Sequence, residues 1–172
     1  SYRPDIDTLR AVAVLSVVVF HIEKNWLPGG FLGVDIFFVI SGYLITGGIL
    51  RDLKQERFTI GNFYYRRIRL IFPAYFALIA GVFAAGCVVY YDHPLIYLGD
   101  AAMMGTLFSA NFYFYFFSSD YFNSSSHYNA LLHLWSLSVE EQFYLFIPLM
   151  CAIVWKLNRK ALAPLFAMLA LA

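Results

Sequence analysis

Residues 9–50 read LRAVAVLSVVVFHIEKNWLPGGFLGVDIFFVISGYLITGGIL, two long apolar runs joined by a short Pro-Gly-Gly turn. A helix needs about 20 apolar residues to cross a bilayer, and each run is close to that length. Three ionisable side chains, those of Arg10, His21 and Asp35, nevertheless lie in or beside the runs. Charged groups are costly in hydrocarbon and usually line a polar path or a reaction centre where they occur. The stretch therefore predicts membrane helices that carry chemistry.

Composition separates the chain from soluble domains and from nucleic-acid-binding proteins. Hydrophobic residues make up 61% of the 172 residues and charged ones 13%, a more apolar balance than in ordinary soluble domains. The net charge of +1 lacks the basic excess of proteins that bind nucleic acid. Cys87 and Cys151 stand far apart in apolar segments, so we expect neither a disulfide framework nor a metal site.

Four segments are long and apolar enough to cross a membrane, and a fifth such run begins at Ala161. The four are residues 8–26, 31–50, 71–91 and 134–155. The sequence therefore predicts an all-α, polytopic bundle of transmembrane helices. Because the chain starts at Ser1 and stops at Ala172 within an apolar run, we expect it to be part of a longer polypeptide.

Basic residues predict how the helices are oriented. Half of the 12 Lys and Arg residues lie in the connection after the second span, and the positive-inside rule places that connection and the N-terminus in the cytoplasm. A second basic cluster follows Trp155, so the span 134–155 should run inward. The segment 94–117 would then add one crossing too many. Its aromatic run favours the outer membrane surface or a re-entrant path, with residues 118–129 as an external loop.

Spacing places Arg10 and His21 on the same face of the first helix. They are 11 residues apart, close to three turns, so both lie on one face. Asp35 follows the turn, and antiparallel packing would bring it to a depth similar to that of His21. A carboxylate beside an imidazole orients the ring and raises its basicity, as a general base requires. The alternative is that His21 simply lies among the lipid headgroups.

Small residues and arginines mark two further features. Gly42 and Thr46 share a face of the second helix that admits another backbone or a thin ligand chain, with close helix packing as the simpler cause. Three arginines in a loop before the third span suit phosphate oxygens, although topology or lipid phosphates would also explain them. These arginines are Arg66, Arg67 and Arg69.

Two adjacent carboxylates, Glu140 and Glu141, lie about two turns into the apolar span 134–155. Neighbouring residues of a helix point 100° apart, so at least one carboxylate should face the interior of the bundle. The alternative is a purely structural pairing with an arginine of another helix.

Several motifs together resemble the bacterial membrane-bound acyltransferase 3 family. They are the Arg10–His21 spacing, PGGFLGVDIFF at 28–38, SGYL at 41–44, RRIRLIFP at 66–73 and LWSLSVEEQF at 134–143. The opening YRPDID at 2–7 is similar to the subgroup that acetylates O-antigen lipopolysaccharide or other surface polysaccharides. The resemblance identifies residues 1–172 as the N-terminal part of a domain of about ten helices, often followed by an SGNH-type domain.

This resemblance implies transfer of an acetyl group from cytoplasmic acetyl-CoA, a co-substrate, to a glycan hydroxyl at the bacterial inner membrane. His21 matches the essential histidine of the family and Arg10 its paired arginine. Asp35 and Glu140 or Glu141 match recurrent acidic positions, and their catalytic roles are our inference from the residues. The implied donor-binding residues are Arg66, Arg67 and Arg69. The residues expected along the substrate path are Ser41, Gly42, Tyr43, Trp135 and Ser136.

Two other classes of function remain compatible with the residues themselves. A proton-coupled transporter would also use buried Arg, His, Asp and Glu, and a membrane scaffold would need none of them. Within the acyltransferase reading, His21 either deprotonates the acceptor hydroxyl or carries the acyl group itself. The sequence leaves both routes open, together with the acceptor sugar and the oligomeric state.

Overall fold

The structure is a computed structural model that describes residues 3–117, 130–162, 164 and 166. All regular secondary structure in this part of the chain is helical, which confirms the predicted all-α class. The predicted external loop, 118–129, lies outside the described residues, as does most of the apolar run that begins at Ala161. The chain divides into two compact units, Ser1–Arg57 and Phe58–Ala172.

The first unit is a pair of packed helices. Helix α1 spans Pro4–Ile22 and helix α2 spans Gly33–Lys54, with a short 3-10 helix at Gly30–Leu32 between them. Helix α1 begins four residues before the predicted span. Pro4 suits the first turn because its missing N–H has no partner there, and two acidic residues follow it next to the positive end of the helix dipole.

Two glycines bring the connection and α2 against α1. A Cβ atom at Gly30 would overlap the backbone oxygen of Ser16, and one at Gly33 would overlap the backbone oxygen of Ala13. No other residue type fits these contacts without a shift of the backbone. The connection and α2 therefore approach the backbone of α1 closely at these two glycines. Gly42, the predicted small-residue position on α2, is half-buried.

The described residues of the second unit form four α-helices. They are α3 at Ile60–Val89, α4 at His93–Thr106, α5 at Ala110–Phe117 and α6 at Leu134–Leu157, and a 3-10 helix follows at Arg159–Ala161. Their shared core is apolar and centres on Tyr75, Ile79, Leu98, Leu131 and Leu134. The core positions α3 and α6, which carry the three arginines and the two adjacent carboxylates predicted from the sequence.

The prediction of a loop at residues 66–69 was wrong. Helix α3 begins at Ile60, 11 residues before the predicted span, and it includes all three arginines. Phe63 is buried and Tyr64 donates a hydrogen bond of 2.6 Å to the backbone oxygen of Leu145 on α6. Side-chain contacts with α6 thus stabilise helical structure in a segment whose charges suggested a loop.

The segment 94–117 is not one continuous helix. It contains α4, of 14 residues, and α5, of 8 residues, separated at Phe108, whose φ of 52° lies in the left-handed region. Each helix is shorter than the roughly 20 residues that a crossing needs. The break accords with the predicted surface or re-entrant path, which stays a prediction.

Within the part of the chain that the structure describes, three helical stretches are long and apolar enough to cross a membrane. They are Gly30–Lys54, Ile60–Val89 and Leu134–Leu157. Helix α1 is not among them, since it combines 19 residues with the charges of Asp5, Asp7 and Arg10. The chain therefore has the character of a membrane protein, and the crossing of the bilayer by α1 stays a prediction.

Candidate functional site

His21 lies in the last turn of α1, where its own helix orients the ring. Its Nδ1 atom is 2.8 Å from the backbone oxygen of Val17, one turn earlier. Because a carbonyl oxygen only accepts, Nδ1 donates the proton of this bond and Nε2 of the neutral ring keeps its lone pair. The ring is exposed and packs edge-on against Phe20, with 5.5 Å between ring centres. This geometry suits a base or a nucleophile at Nε2.

The predicted equal depth of His21 and Asp35 was wrong. Gly33 of α2 packs against α1 at Ala13, so Asp35 lies about eight or more residues from His21 along the direction of α1. At 1.5 Å per residue the offset is roughly 12 Å, too far for direct pairing of the two side chains. The cause is the connection, which folds back along α1 before α2 begins. Asp35 is exposed and does not orient His21 in this structure.

Arg10, and not His21, lies level with Asp35. Its guanidinium carbon is 5.4 Å from the centre of the Phe37 ring, two residues after Asp35 on α2. Arg10 and Asp35 therefore occupy neighbouring levels of the two helices. About 16 Å of helix separates Arg10 from His21, as the 11-residue spacing predicted.

The predicted path residues of α2 lie farther from His21 still. Ser41 is buried, Gly42 is half-buried and Tyr43 is exposed. Tyr43 is within electrostatic reach of Arg3 at the start of α1. A hydrogen bond from Arg3 lowers the pKa of Asp5 to about 2, so this end of the unit carries fixed charges at neutral pH. Polar groups thus occur at both ends and in the middle of the first unit.

The three arginines of α3 do not form one cluster. Arg66 and Arg69 are exposed, while Arg67 is half-buried. The guanidinium of Arg67 lies over two aromatic rings, those of Phe63 and Tyr144. Arg66 and Arg69 therefore lie on the exposed face of α3, whereas Arg67 points toward α6.

The two carboxylates of α6 have different surroundings. Glu140 is 8% exposed and accepts a hydrogen bond from the Tyr144 hydroxyl through Oε1. Glu141 is half-buried, and its Oε1 is a buried atom with no hydrogen-bond partner among the described residues. The prediction that at least one carboxylate faces the interior is confirmed by Glu140.

The remaining predicted residues lie at the start of α6. Trp135 and Ser136 are both half-buried, and Ser136 Oγ donates a hydrogen bond of 3.1 Å to the backbone oxygen of His133. That bond holds the hydroxyl against its own helix. The roles of all these residues stay predictions, since the structure fixes only their positions.

Two polar contacts at the candidate site carried no assignment from the sequence. Tyr144 follows Glu140 by four residues, a spacing that places the pair on one helix face and could have indicated their bond. Gln142 donates to the backbone oxygen of Phe108 at 2.7 Å and to Asn111 Oδ1 at 2.9 Å. It thereby holds the break between α4 and α5 against α6, and an amide in an apolar helix is the signal for such a contact.

Comparison with known proteins gives the family. A model of the acyltransferase domain matches residues 3–172. The chain is 40% identical to peptidoglycan O-acetyltransferase OatA of Listeria monocytogenes over 94% of this chain and 26% of that protein. It is 42% identical to the putative peptidoglycan O-acetyltransferase YrhL of Bacillus subtilis over 86% of this chain and 23% of that protein.

A putative O-acetyltransferase of Staphylococcus aureus is 39% identical over 86% of this chain and 24% of its own length. The chain thus spans about a quarter of the length of these relatives. No solved structure matches it. With its family match over nearly the whole sequence, an all-α fold and apolar helices that carry the expected motifs, the chain belongs to the acyltransferase 3 family.

Proposed function

We propose that the full-length protein is a membrane O-acetyltransferase that moves an acetyl group from cytoplasmic acetyl-CoA to a hydroxyl of a cell-envelope glycan. The family and the printed names of the relatives support acyl transfer. Because the chain spans about a quarter of those relatives, the activity belongs in this proposal to the complete protein, of which this chain would form the N-terminal part of the membrane domain.

The observation that carries the proposal is the bond between His21 Nδ1 and the Val17 carbonyl. In the neutral ring this bond leaves the lone pair on Nε2, and the ring is exposed at the end of an apolar helix. As a base, Nε2 takes the proton of the acceptor hydroxyl while the hydroxyl oxygen attacks the thioester carbonyl. The C–S bond breaks, the coenzyme leaves as a thiolate that takes up a proton, and an ester forms.

A second route also begins at Nε2. The nitrogen attacks the thioester carbonyl, and the C–S bond breaks to release the coenzyme thiolate. The acetyl group then passes from the imidazole to the hydroxyl oxygen, and the hydroxyl proton ends on the thiolate, so that the products are an ester and free coenzyme thiol. Both routes require His21, and neither requires a carboxylate beside it. Asp35 lies level with Arg10, so it would line a polar path through the membrane rather than orient His21.

The donor would bind at the basic end of α3. Arg66 and Arg69 are exposed there, and guanidinium groups bind phosphate oxygens through paired hydrogen bonds. The positive-inside rule places this end and the N-terminus in the cytoplasm, which puts His21 near the outer side of the inner membrane. The long, flexible arm of coenzyme A would carry the acetyl group from the cytoplasmic side toward the outer side of the membrane.

The acceptor is proposed to be peptidoglycan. Two of the relatives are named for this polymer, which favours it over the lipopolysaccharide suggested by the opening motif. Purified peptidoglycan precursors and O-antigen, each offered with labelled acetyl-CoA, would separate the two acceptors. Label on O-antigen alone would replace peptidoglycan in the proposal.

The test is the pair His21→Ala and His93→Ala in the full-length protein. His93, at the start of α4, has no proposed role and serves as the matched control. Loss of a general base lowers the rate by about 100- to 10,000-fold, so His21→Ala should lose transfer of labelled acetyl to glycan while His93→Ala keeps it. Transfer by His21→Ala at the wild-type rate would refute the role of His21. If the wild-type protein neither binds acetyl-CoA nor transfers its acetyl group, the result would favour a transporter or a scaffold.

A further inference from the structure

Arg67 differs from its two neighbouring arginines in direction and burial. Successive residues of an α-helix are 100° apart, so Arg66 and Arg69 lie about 60° from each other and Arg67 lies about 160° from Arg69. Arg66 and Arg69 are exposed, and Arg67 is half-buried. Arg67 therefore contacts the interior of the second unit, while the other two face outward.

Arg67 lies over aromatic rings of two helices. Its guanidinium carbon is 5.6 Å from the ring centre of Phe63 on α3 and 5.1 Å from that of Tyr144 on α6. The negative face of an aromatic ring attracts a cation, and the attraction grows where water is excluded. Within the described part of the chain, no carboxylate oxygen lies within 4.0 Å of its nitrogens. The Tyr144 ring thus provides its contact with α6.

Tyr144 connects this cation to Glu140. The Tyr144 hydroxyl donates to Glu140 Oε1, one turn earlier on α6, and Glu140 is almost fully buried. A phenol that donates to a carboxylate becomes richer in electrons, so its ring attracts a cation more strongly. Guanidinium, ring and carboxylate therefore stabilise one another, and we call this arrangement the Arg67 stack.

The Arg67 stack also places positive charge near the second carboxylate. Arg67 interacts electrostatically with both Glu140 and Glu141. Adjacent carboxylates repel each other, and burial removes the water that would otherwise screen them. Removal of the guanidinium would take this positive charge away from both carboxylates and the cation away from the Tyr144 ring.

We infer that Arg67 is a positioning residue that holds Tyr144 and Glu140 of α6 against α3, and that it does not bind the acyl donor. This inference rests on the proposed function and divides the arginine segment, with Arg66 and Arg69 left as the donor site. To reach a phosphate in solvent, the Arg67 guanidinium would have to leave both aromatic rings and break the stack.

The experiment compares Arg67→Gln with Arg69→Gln in the full-length protein, because both changes remove one guanidinium from the same helix. We expect Arg69→Gln to raise the Kd of acetyl-CoA about ten- to hundredfold, the effect of a lost charge-assisted contact. Arg67→Gln should leave that Kd within about twofold and lower kcat per donor-binding site about tenfold or more, because misplaced groups slow catalysis. Donor-binding stoichiometry corrects for any misfolded fraction.

Two further variants separate positioning from folding. Arg67→Lys keeps a cation over the rings and should recover kcat in part. Tyr144→Phe keeps the ring but removes the donor to Glu140, and we expect it to lower kcat without changing donor Kd. Since Arg67 and Tyr144 act through one stack, the double variant Arg67→Gln/Tyr144→Phe should be no slower than the slower single variant.

Three outcomes would overturn the inference. They are an Arg67→Gln protein whose donor Kd rises as far as that of Arg69→Gln, one whose kcat per binding site is unchanged, and a double variant whose losses simply multiply. If the wild-type protein neither binds acetyl-CoA nor transfers acetyl groups, the proposed function itself fails and the positioning role falls with it.

Discussion

Gly33→Ala tests the contact that sets the depth of α2 on α1. A Cβ atom at this position would overlap the backbone oxygen of Ala13 and the hydroxyl of Ser16, and it would lie 2.8 Å from Val17 Cγ2. The carbonyl of Ala13 belongs to the helix and cannot move alone, so α2 must shift outward. Such overpacking costs about 1–3 kcal/mol of unfolding free energy.

Gly47→Ala is the matched control on the same helix. A Cβ atom there meets no atom within 4 Å, and alanine favours a helix over glycine by about 1 kcal/mol. The two variants should therefore differ in unfolding free energy by about 2–4 kcal/mol, with Gly33→Ala the less stable. Reversible unfolding of the purified full-length protein in mixed micelles, titrated with SDS, measures this difference.

The same change should also affect transfer. Phe37 lies one turn after Gly33 and packs under Arg10, so an outward shift of α2 separates that pair and lowers the rate of acetyl transfer. Equal stability of Gly33→Ala and Gly47→Ala would show that the two helices do not meet at Gly33. The argument that places Asp35 at the depth of Arg10 would then be withdrawn.

Two further predictions concern charge and orientation. Asp35→Asn should leave the pH dependence of kcat/KM unchanged, because roughly 12 Å of helix separates it from His21; a shift of about one pH unit in the profile would show that the two groups are coupled after all. In a cysteine-free background, an impermeant maleimide should label a cysteine at position Ser124 from outside and one at Asn158 only from inside. The reverse pattern would mean that segment 94–117 crosses the membrane and that α6 enters from the cytoplasm.

Local chemistry made the helices predictable. Long apolar runs, the proline at the start of α1 and the Pro-Gly-Gly turn act within a few residues, so the sequence located α2 and α6 closely. It misplaced the start of α3, because three arginines suggested a loop. The helix forms there since Phe63 is buried and Tyr64 bonds to a carbonyl of α6, contacts that depend on distant residues.

The candidate site divides in the same way. The position of His21 at the end of an apolar helix, its spacing from Arg10 and the interior direction of Glu140 follow from helical periodicity. The bond from His21 to Val17 also arises within one helix. Arg67 and Arg69 have different surroundings because α6 packs beside only one of them. The residue pattern of one helix does not show where another helix packs.

The sequence by itself determined that this chain is an all-α membrane protein of the acyltransferase 3 family, because apolar length and ordered motifs are properties of the chain alone. Only the tertiary structure decided which charged groups meet. The connection folds back along α1, so Asp35 lies level with Arg10 instead of His21. Aromatic rings from α3 and α6 contact the guanidinium of Arg67, and one of them, Tyr144, donates a hydrogen bond to the buried Glu140. The physical reason is that helix spacing fixes direction within a helix, whereas the relative depth of two helices is set by side chains far apart in sequence.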